Sequence, residues 1–263
     1  MKKTTCLSLL MMLLGWSQAV TAAPSAEKGL AIATEAEQRG NGFGDFTAMM
    51  KMVLKNQHGE SSERIIQVKT LEVQDDGDKG LLIFKSPRDV KGTALLTFSH
   101  KTSDNDQWLY LPALKRVKRI NSRNKTGSFM GSEFSYEDIG GQEIEKYTHQ
   151  WLRDETYEQQ DCFVLERRPI HPENSGYTRQ VIWMDKQEYR VLKVDYYDRK
   201  KTQLKTLLIS GYQKYMDKYW QPSFMVITNH QNGKSTELHW TDYQFNTGLT
   251  NREFNKNNLT RKR

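Results

Sequence analysis

Residues 107–141 read QWLYLPALKRVKRINSRNKTGSFMGSEFSYEDIGG. The segment starts with large apolar residues typical of a strand (108–111) and turns strongly basic over 115–125. It then becomes a loop of small residues that carries bulky apolar groups, 128–132. Apolar side chains on a glycine- and serine-rich loop are poorly placed for a rigid core, because such a backbone has little fixed geometry. We therefore predict that this loop is a flap over an apolar cavity.

Most of the remaining chain alternates between apolar and polar residues, as strands do. The alternation is clearest over 46–55, where Met50 and Met52 share one face. Further strands are predicted at 63–73, 80–85, 93–99, 107–111, 116–120, 162–168, 179–185, 190–197, 204–212, 219–229 and 235–245. Short Asp-, Asn- and Gly-containing turns separate many of them, which is a hairpin signal. About eleven strands joined mostly by hairpins predict an antiparallel meander that curls into a strongly bent sheet or barrel.

Helical segments are few. One helix is predicted from Pro24 to Arg39, and capping boxes at 135–138 and 250–253 predict two short helical turns. Several strands are apolar on both faces, including 81–84, 95–98 and 224–227. An antiparallel sheet covered on one side only has a polar outer face, so these strands need a second layer or a cavity. With so little helix available, a partly filled hollow is the economical interpretation.

The first residues have the pattern of a cleavable secretory signal. Lys2 and Lys3 precede a short apolar segment, 7–16, and small residues lead to Ala22. The apolar segment is shorter than the roughly 20 residues of a spanning helix. We therefore expect a signal peptide at 1–22 and one exported domain at 23–263. Cys162 would then be the one cysteine left after processing, and we predict that it is a buried structural thiol.

The formal charge of the 263-residue chain is +7. Much of the excess lies in 115–125 and in the C-terminal residues 261–263. Basic clusters of this kind suit anionic lipid headgroups, an acidic partner or nucleic acid. Export argues against nucleic acid, which leaves peripheral contact with a membrane or a protein partner. A solvated strand face with no binding role is the alternative.

Catalytic and cofactor motifs are missing from the sequence. It contains no H-E-x-x-H, G-x-S-x-G, P-loop or G-x-G-x-x-G pattern in the context that each requires. Glu133, Glu137 and Asp138 cluster near the flap, and a glycosidase pair is one interpretation of them. Capping and surface roles explain these carboxylates better. We therefore expect no enzyme activity, no cofactor and no metal; a hydrolase of envelope lipids or glycans is the alternative.

Several segments together resemble one protein family. They are FKSPRDVKGT (84–93), WLYLPALKRV (108–117), SFMGS (128–132) with YED (136–138), YDR (197–199), WQP (220–222) and NHQNG (229–233). They are similar to the outer-membrane lipoprotein-sorting, LolA-like periplasmic proteins of Gram-negative bacteria, in the broader branch of uncharacterised lipoprotein-sorting proteins. The resemblance implies an unclosed, strongly curved antiparallel sheet with helices in its mouth. It also implies a concave cavity for acyl chains, a periplasmic location and an RND-type inner-membrane exporter as partner.

These observations predict a carrier that binds the acyl chains of a lipid or lipidated protein and shuttles it towards the outer membrane, driven by apolar burial. The predicted cavity lining is Met50, Met52, Phe84, Leu96, Phe98, Trp108 and Tyr110. The predicted lid is Phe129, Met130 and Phe134, and Arg116 and Arg119 are the predicted rim for a headgroup or partner. Ordinary core packing would also explain each apolar side chain. The alternative function is a periplasmic adaptor that carries no lipid and has a solid core.

Overall fold

The computed structural model describes residues 24–121 and 124–260. The predicted signal peptide lies outside the described residues, as do Ser122, Arg123 and the basic C-terminal residues 261–263. The two α-helices of the described part are α1 (Pro24–Gly40) and α2 (Tyr136–Ile139). Its strands are β1 (Asp45–Lys55), β2 (Ser61–Leu71), β3 (Lys79–Ser86), β4 (Ala94–Phe98), β5 (Asp106–Leu111), β6 (Arg116–Ile120), β7 (Tyr147–Tyr157), β8 (Gln160–Pro169), β9 (Arg179–Asp185), β10 (Val191–Tyr197), β11 (Gln203–Ser210), β12 (Gln213–Tyr215), β13 (Tyr219–Gln221), β14 (Phe224–Asn229) and β15 (Ser235–Phe245).

Thirteen of these strands form a single antiparallel sheet. Its order is β6-β5-β4-β3-β2-β1-β15-β14-β11-β10-β9-β8-β7, and β12 and β13 form a separate hairpin. The first and last strands pair at the middle of the sheet, in a register from Phe46 opposite Phe245 to Lys55 opposite Ser235. Because β6 and β7 do not pair with each other, the sheet does not close. The prediction of an unclosed, strongly curved antiparallel sheet is confirmed.

The structure corrects the predicted strands at β7, at Pro222 and at the short strand β12, which was not predicted. Strand β7 was not predicted, because its sequence YTHQWLRDETY has no clean alternation and most of its residues are exposed, as suits an edge strand. The predicted strand over 219–229 is interrupted at Pro222, so that β13 and β14 are separate strands. Proline has no N–H to give to a strand partner, which explains the interruption.

The main core lies on the concave face of the sheet. It contains every second residue of most strands, from Leu109 and Ile120 at one end of the strand order to Leu165 at the other. Residues so far apart in the strand order share one cluster only if the sheet wraps around it. Ile32 of α1 and Phe129 of the 107–141 segment belong to the same cluster, so both segments lie inside the curve.

Helix α1 approaches the edge strand β7 very closely at Gly29. A Cβ atom at this position would lie 2.6 Å from the backbone nitrogen of Trp151. At the same contact, the Lys28 ammonium lies over the Trp151 ring, 3.5 Å from the ring centre. Glycine is therefore required at residue 29 for backbone-to-backbone packing, which holds the helix across the sheet edge.

Replacing Gly29 by alanine tests this contact. Alanine favours a helix over glycine by about 1 kcal/mol. Forcing apart a backbone contact costs about 1–3 kcal/mol, so we expect net destabilisation of the Gly29→Ala variant in urea unfolding. Gly40→Ala is the matched control, because no atom lies within 4 Å of its Cβ position. Equal stability of the two variants would contradict the close approach.

Candidate functional site

A cavity of about 740 Å³ lies between α1, the sheet and residues 141–144. Its floor is apolar and comes from one face of α1 and from β8 to β10. The floor residues are Ala33, Ala36, Leu165, Ile182, Met184 and Val191. A volume of this size with an apolar floor is typical of small-molecule sites, and it suits a flexible hydrocarbon chain.

The mouth of this cavity is acidic. Glu37, Asp78 and Glu143 lie there together with Glu72, Asp75 and Asp76, while Lys101 and Arg167 are the basic side chains of the lining. Burial raises the pKa of Asp78 to about 7, with smaller contributions from the charges of Glu143 and Glu72. Burial also raises the pKa values of Glu37 and Glu143. Carboxylates are therefore held here at some energetic cost, because both desolvation and mutual repulsion oppose their ionisation.

Two carboxylates of this mouth, Glu37 and Glu143, and the neighbouring Glu145 lie close enough to share a cation. Oxygen atoms of Glu37, Glu143 and Glu145 are all within 4.8 Å of one another. Acidic clusters of this kind are also common on surfaces that hold no ion. The cluster by itself therefore identifies no metal centre.

The predicted flap forms part of a compact lid segment, which we define as residues 124–146. Its tip is a tight turn in which the Phe129 nitrogen donates to the Phe134 carbonyl at 2.7 Å and Ser132 Oγ donates to the Phe129 carbonyl at 2.8 Å. Phe129 is fully buried against Phe84, with ring centres 5.9 Å apart. The lid segment is thus packed into the concave face as an ordered loop.

A buried ion pair anchors the lid segment to the opposite half of the sheet. Lys205 Nζ on β11 lies 2.6 Å from Asp138 Oδ2 on α2, and the two side chains are only 4% and 3% exposed. Lys205 also donates to the Glu133 carbonyl, and the Tyr177 hydroxyl donates to Asp138. Asp138 caps α2 with Ser135 in the predicted capping box. Residues from α2, β11 and the β8–β9 connection therefore form one buried polar network.

The acidic neighbours of Asp138 also have structural partners. Glu137 accepts hydrogen bonds from Ser175 Oγ and the Gly176 nitrogen, and burial raises its pKa. Glu133 accepts a hydrogen bond from Asn229 Nδ2 at 2.7 Å. These contacts give the carboxylates near the flap a role in anchoring the loop.

The seven residues predicted to line the cavity lie on two faces of the sheet. Met50, Met52 and Phe84 belong to the concave core. Four others form a second cluster on the opposite face, packed with Phe254 and Leu259 of the C-terminal segment: Leu96, Phe98, Trp108 and Tyr110. None of the seven is among the residues that line the 740 Å³ cavity. Strand alternation separates them, because neighbouring residues of a strand point to opposite faces.

The three predicted lid residues lie together in the concave core, whereas the two predicted rim residues lie on different faces of β6. Phe129 and Phe134 are buried in the concave core, and Met130 is half-buried against it. Arg116 and Arg119 are three positions apart on β6, so their side chains leave opposite faces of the strand. Arg119 pairs with Asp106 and is 69% exposed.

The residues of the cavity floor were not predicted from the sequence. Ala33 and Ala36 are one turn apart on α1 and are small, which is a signal for space beside a helix. Leu165, Ile182 and Met184 occupy alternating positions of β8 and β9 that the sequence identified as strands. The missing information was which face of these strands is concave.

The buried ion pair can be tested by removing its cation. We expect Lys205→Met to lower the free energy of unfolding by about 3–5 kcal/mol, because Asp138 would remain buried without a counter-charge. The double variant Lys205→Met/Asp138→Asn should recover part of this loss, since the asparagine keeps the cap and removes the charge. Urea unfolding measures both. No recovery in the double variant would contradict an electrostatic role.

The raised pKa of Asp78 predicts a pH dependence of stability. The folded state favours the protonated acid, so the unfolded chain binds fewer protons between the ordinary carboxyl pKa of about 4 and about 7. Stability should therefore fall as the pH rises through this window. We expect Asp78→Asn to flatten the decline between pH 5 and pH 8 in thermal unfolding. An unchanged slope would contradict the assignment to Asp78.

Among the described residues, no helix is both long and apolar enough to cross a membrane. No curated protein matches the sequence. A family model described as an uncharacterized protein matches residues 76–261. The fold is also that of a LolA superfamily protein from Nitrosomonas europaea, with a TM-score of 0.70 at 18% identity over 89% of this chain and 99% of that one.

Two solved structures are closer in sequence. A DUF1329 family protein from Desulfovibrio piger is 29% identical, with a TM-score of 0.85 over 90% of this chain and 100% of that chain. An outer membrane lipoprotein-sorting protein domain from Vibrio parahaemolyticus is 59% identical, with a TM-score of 0.88 and the same coverage of both chains. These matches confirm the resemblance found in the sequence, and the chain belongs to this family of LolA-like outer membrane lipoprotein-sorting domains.

Proposed function

We propose that the protein is a periplasmic carrier that holds an acyl chain of a lipid or lipidated protein in its concave cavity. The observation that supports this most directly is the 740 Å³ space with an apolar floor beneath α1. Burial of apolar surface is worth about 25 cal/mol per Å², so a single alkyl chain would be captured without any covalent step. The family relationship to a lipoprotein-sorting domain supports the same function.

The fold offers a way for cargo to enter without unfolding the sheet. One wall of the cavity is α1, which contacts the sheet mainly through β7 and presents small residues to the cavity. A small displacement of this helix would open the cavity and leave the strand pairs intact. The lid segment, by contrast, is held by the buried Lys205–Asp138 pair. We therefore assign the entrance to the α1 side.

We further propose that the protein acts by binding and handover, with no chemical step and no cofactor. Glu133, Glu137 and Asp138 are engaged in loop anchoring. Handover needs an acceptor, and an RND-type inner-membrane exporter is the partner that the sequence resemblance implies. The predicted signal peptide and the family support transport towards the outer membrane, in the periplasm.

The alternative function, an adaptor with no lipid cargo, relies on the basic edge strand β6. Arg116, Lys118 and Arg119 are exposed there, and an acidic partner would fit them. This alternative predicts an interior that is filled by side chains and has no cavity. The cavity beneath α1 favours the carrier.

Filling the cavity tests the carrier function. We expect Ala33→Phe to weaken binding of the neutral fluorescent probe N-phenyl-naphthylamine by at least about tenfold, because the phenyl ring would occupy the apolar floor. Ala31→Phe is the matched control, since Ala31 is an exposed residue of the same helix. Fluorescence titration measures binding, and thermal unfolding confirms that both variants fold. Equal probe binding by the two variants, or none by the unaltered protein, would contradict the proposal.

A further inference from the structure

A second pocket of about 380 Å³ lies on the other side of the C-terminal half of α1. It is enclosed by the end of α1, the turn between β9 and β10, and the β12–β13 hairpin. Ala36 and Val191 line both this pocket and the concave cavity. These two residues therefore belong to the wall that the two spaces share, and the helical side chain of that wall is only a methyl group.

The second pocket is rich in cations. Its lining contains Arg39, Arg190, Lys214 and Lys218 against the two acids Glu188 and Asp217. Just outside the lining, Arg39 pairs with Glu35 and Arg190 pairs with Asp185. The four cations of this lining contrast with the acidic mouth of the concave cavity. An anionic group would therefore be repelled less on this side of α1 than at that mouth.

The two guanidinium groups are held in place before any ligand binds. Arg39 Nη1 donates to the Gln187 carbonyl at 2.8 Å, and its guanidinium lies 4.3 Å from the centre of the Tyr189 ring. Arg190 Nε donates to Asp185 at 2.8 Å, and its guanidinium lies 4.6 Å from the centre of the Trp220 ring. Ordered donors of this kind lose little freedom when they bind an anion.

The walls of the pocket are aromatic, and one of them presents an unused donor. Trp220 Nε1 is buried and has no hydrogen-bond acceptor among the described residues. Two other indole N–H groups are paired, those of Trp183 with Glu155 and of Trp151 with Asp154. Trp240 Nε1 is also unpaired, but Trp240 lines neither of the two pockets. An indole can only donate, so an anionic acceptor in the pocket would satisfy the Trp220 N–H.

We propose that the second pocket binds the phosphate or carboxylate group of an anionic amphiphile whose acyl chain lies in the concave cavity. This inference depends on the proposed carrier function and specifies its cargo as anionic. Trp220 Nε1, Arg190 and Lys214 supply the donors, and the chain passes between Ala36 and Val191. Lys214 lies opposite Trp220 in the β12–β13 hairpin, with its ammonium 5.6 Å from the centre of the indole ring. The two side chains are therefore near enough to share one anion.

Two variants separate the headgroup contacts from the fold. Trp220→Phe keeps an aromatic wall and removes the N–H donor, and Lys214→Glu reverses an exposed charge. Lys200→Glu is the charge-matched control. It lies in the turn after β10, while the pocket is at the start of β10, roughly 20 Å away at about 3.3 Å per residue.

The assay measures how dodecyl phosphate, dodecanol and inorganic phosphate displace bound N-phenyl-naphthylamine. Inorganic phosphate is also added as a competitor of the two amphiphiles. We expect dodecyl phosphate to bind more tightly than dodecanol. Trp220→Phe and Lys214→Glu should each weaken dodecyl phosphate about tenfold, the size of one lost hydrogen bond to a charged group, and leave dodecanol unchanged. Lys200→Glu should change neither ligand. Inorganic phosphate should lower the apparent affinity for dodecyl phosphate and leave the apparent affinity for dodecanol unchanged.

Three results would overturn the proposal. Equal affinity for the two amphiphiles, with no effect of Trp220→Phe, would mean that the pocket does not recognise the headgroup. Inorganic phosphate that binds in a Trp220-dependent way yet leaves dodecyl phosphate unaffected would make this a site for free phosphate, separate from the cavity. Binding of neither amphiphile, and none of the probe, would refute the carrier function itself.

Discussion

The fold is governed by one constraint, which is that the thirteen-stranded sheet curves without closing. Its two edge strands, β6 and β7, do not pair, so the apolar concave face has to be covered by other parts of the chain. Two segments provide the cover. Helix α1 packs against β7 through Gly29, and the lid segment is fastened to β11 by the buried Lys205–Asp138 pair. A buried ion pair adds little net stability compared with an apolar pair, but it strongly disfavours any arrangement that separates the charges. Its role here is to fix where the lid segment lies.

The two covering segments differ in what they bring to the concave face. The lid segment inserts large aromatic side chains, and Phe129 against Phe84 fills the space above β1 to β5. Helix α1 presents Ala33 and Ala36 to β8, β9 and β10, and small side chains leave a void above Leu165 and Ile182. The hollow therefore lies under the helix and not under the bulky loop. A cavity in a fold of this type is determined as much by the small residues of its cover as by the large residues of its wall.

This distribution explains which features the sequence could predict. Alternation with a period of two residues identifies strands and hairpins, and it located all the central strands from local information alone. Strand β7 was missed because an exposed edge strand does not need alternation. The faces could not be assigned, since Leu95 and Leu96 are equally apolar while Leu95 points into the concave core and Leu96 packs under the C-terminal segment. That distinction depends on the direction in which the sheet curves, which is a property of the whole sheet. The glycine- and serine-rich loop could be recognised because its composition is local, but its packing into the concave core, away from the cavity, could not be predicted.

Electrostatics then gives the two sides of α1 different characters. On one side Glu37 and Asp78 stand at the mouth of the cavity, where burial raises their pKa values. On the other side Arg39 and Arg190 face aromatic rings. Around the circumference of α1, Glu37 and Arg39 lie on either side of the small contact residue Ala36. The acidic opening and the basic pocket are therefore only a few residues of chain apart. The net charge of the protein is positive, so the overall composition gives no indication of this acidic opening. The orientation of a bound amphiphile would thus be set by the charge difference across a single helix, while the apolar floor that both orientations share would set how strongly its chain is held.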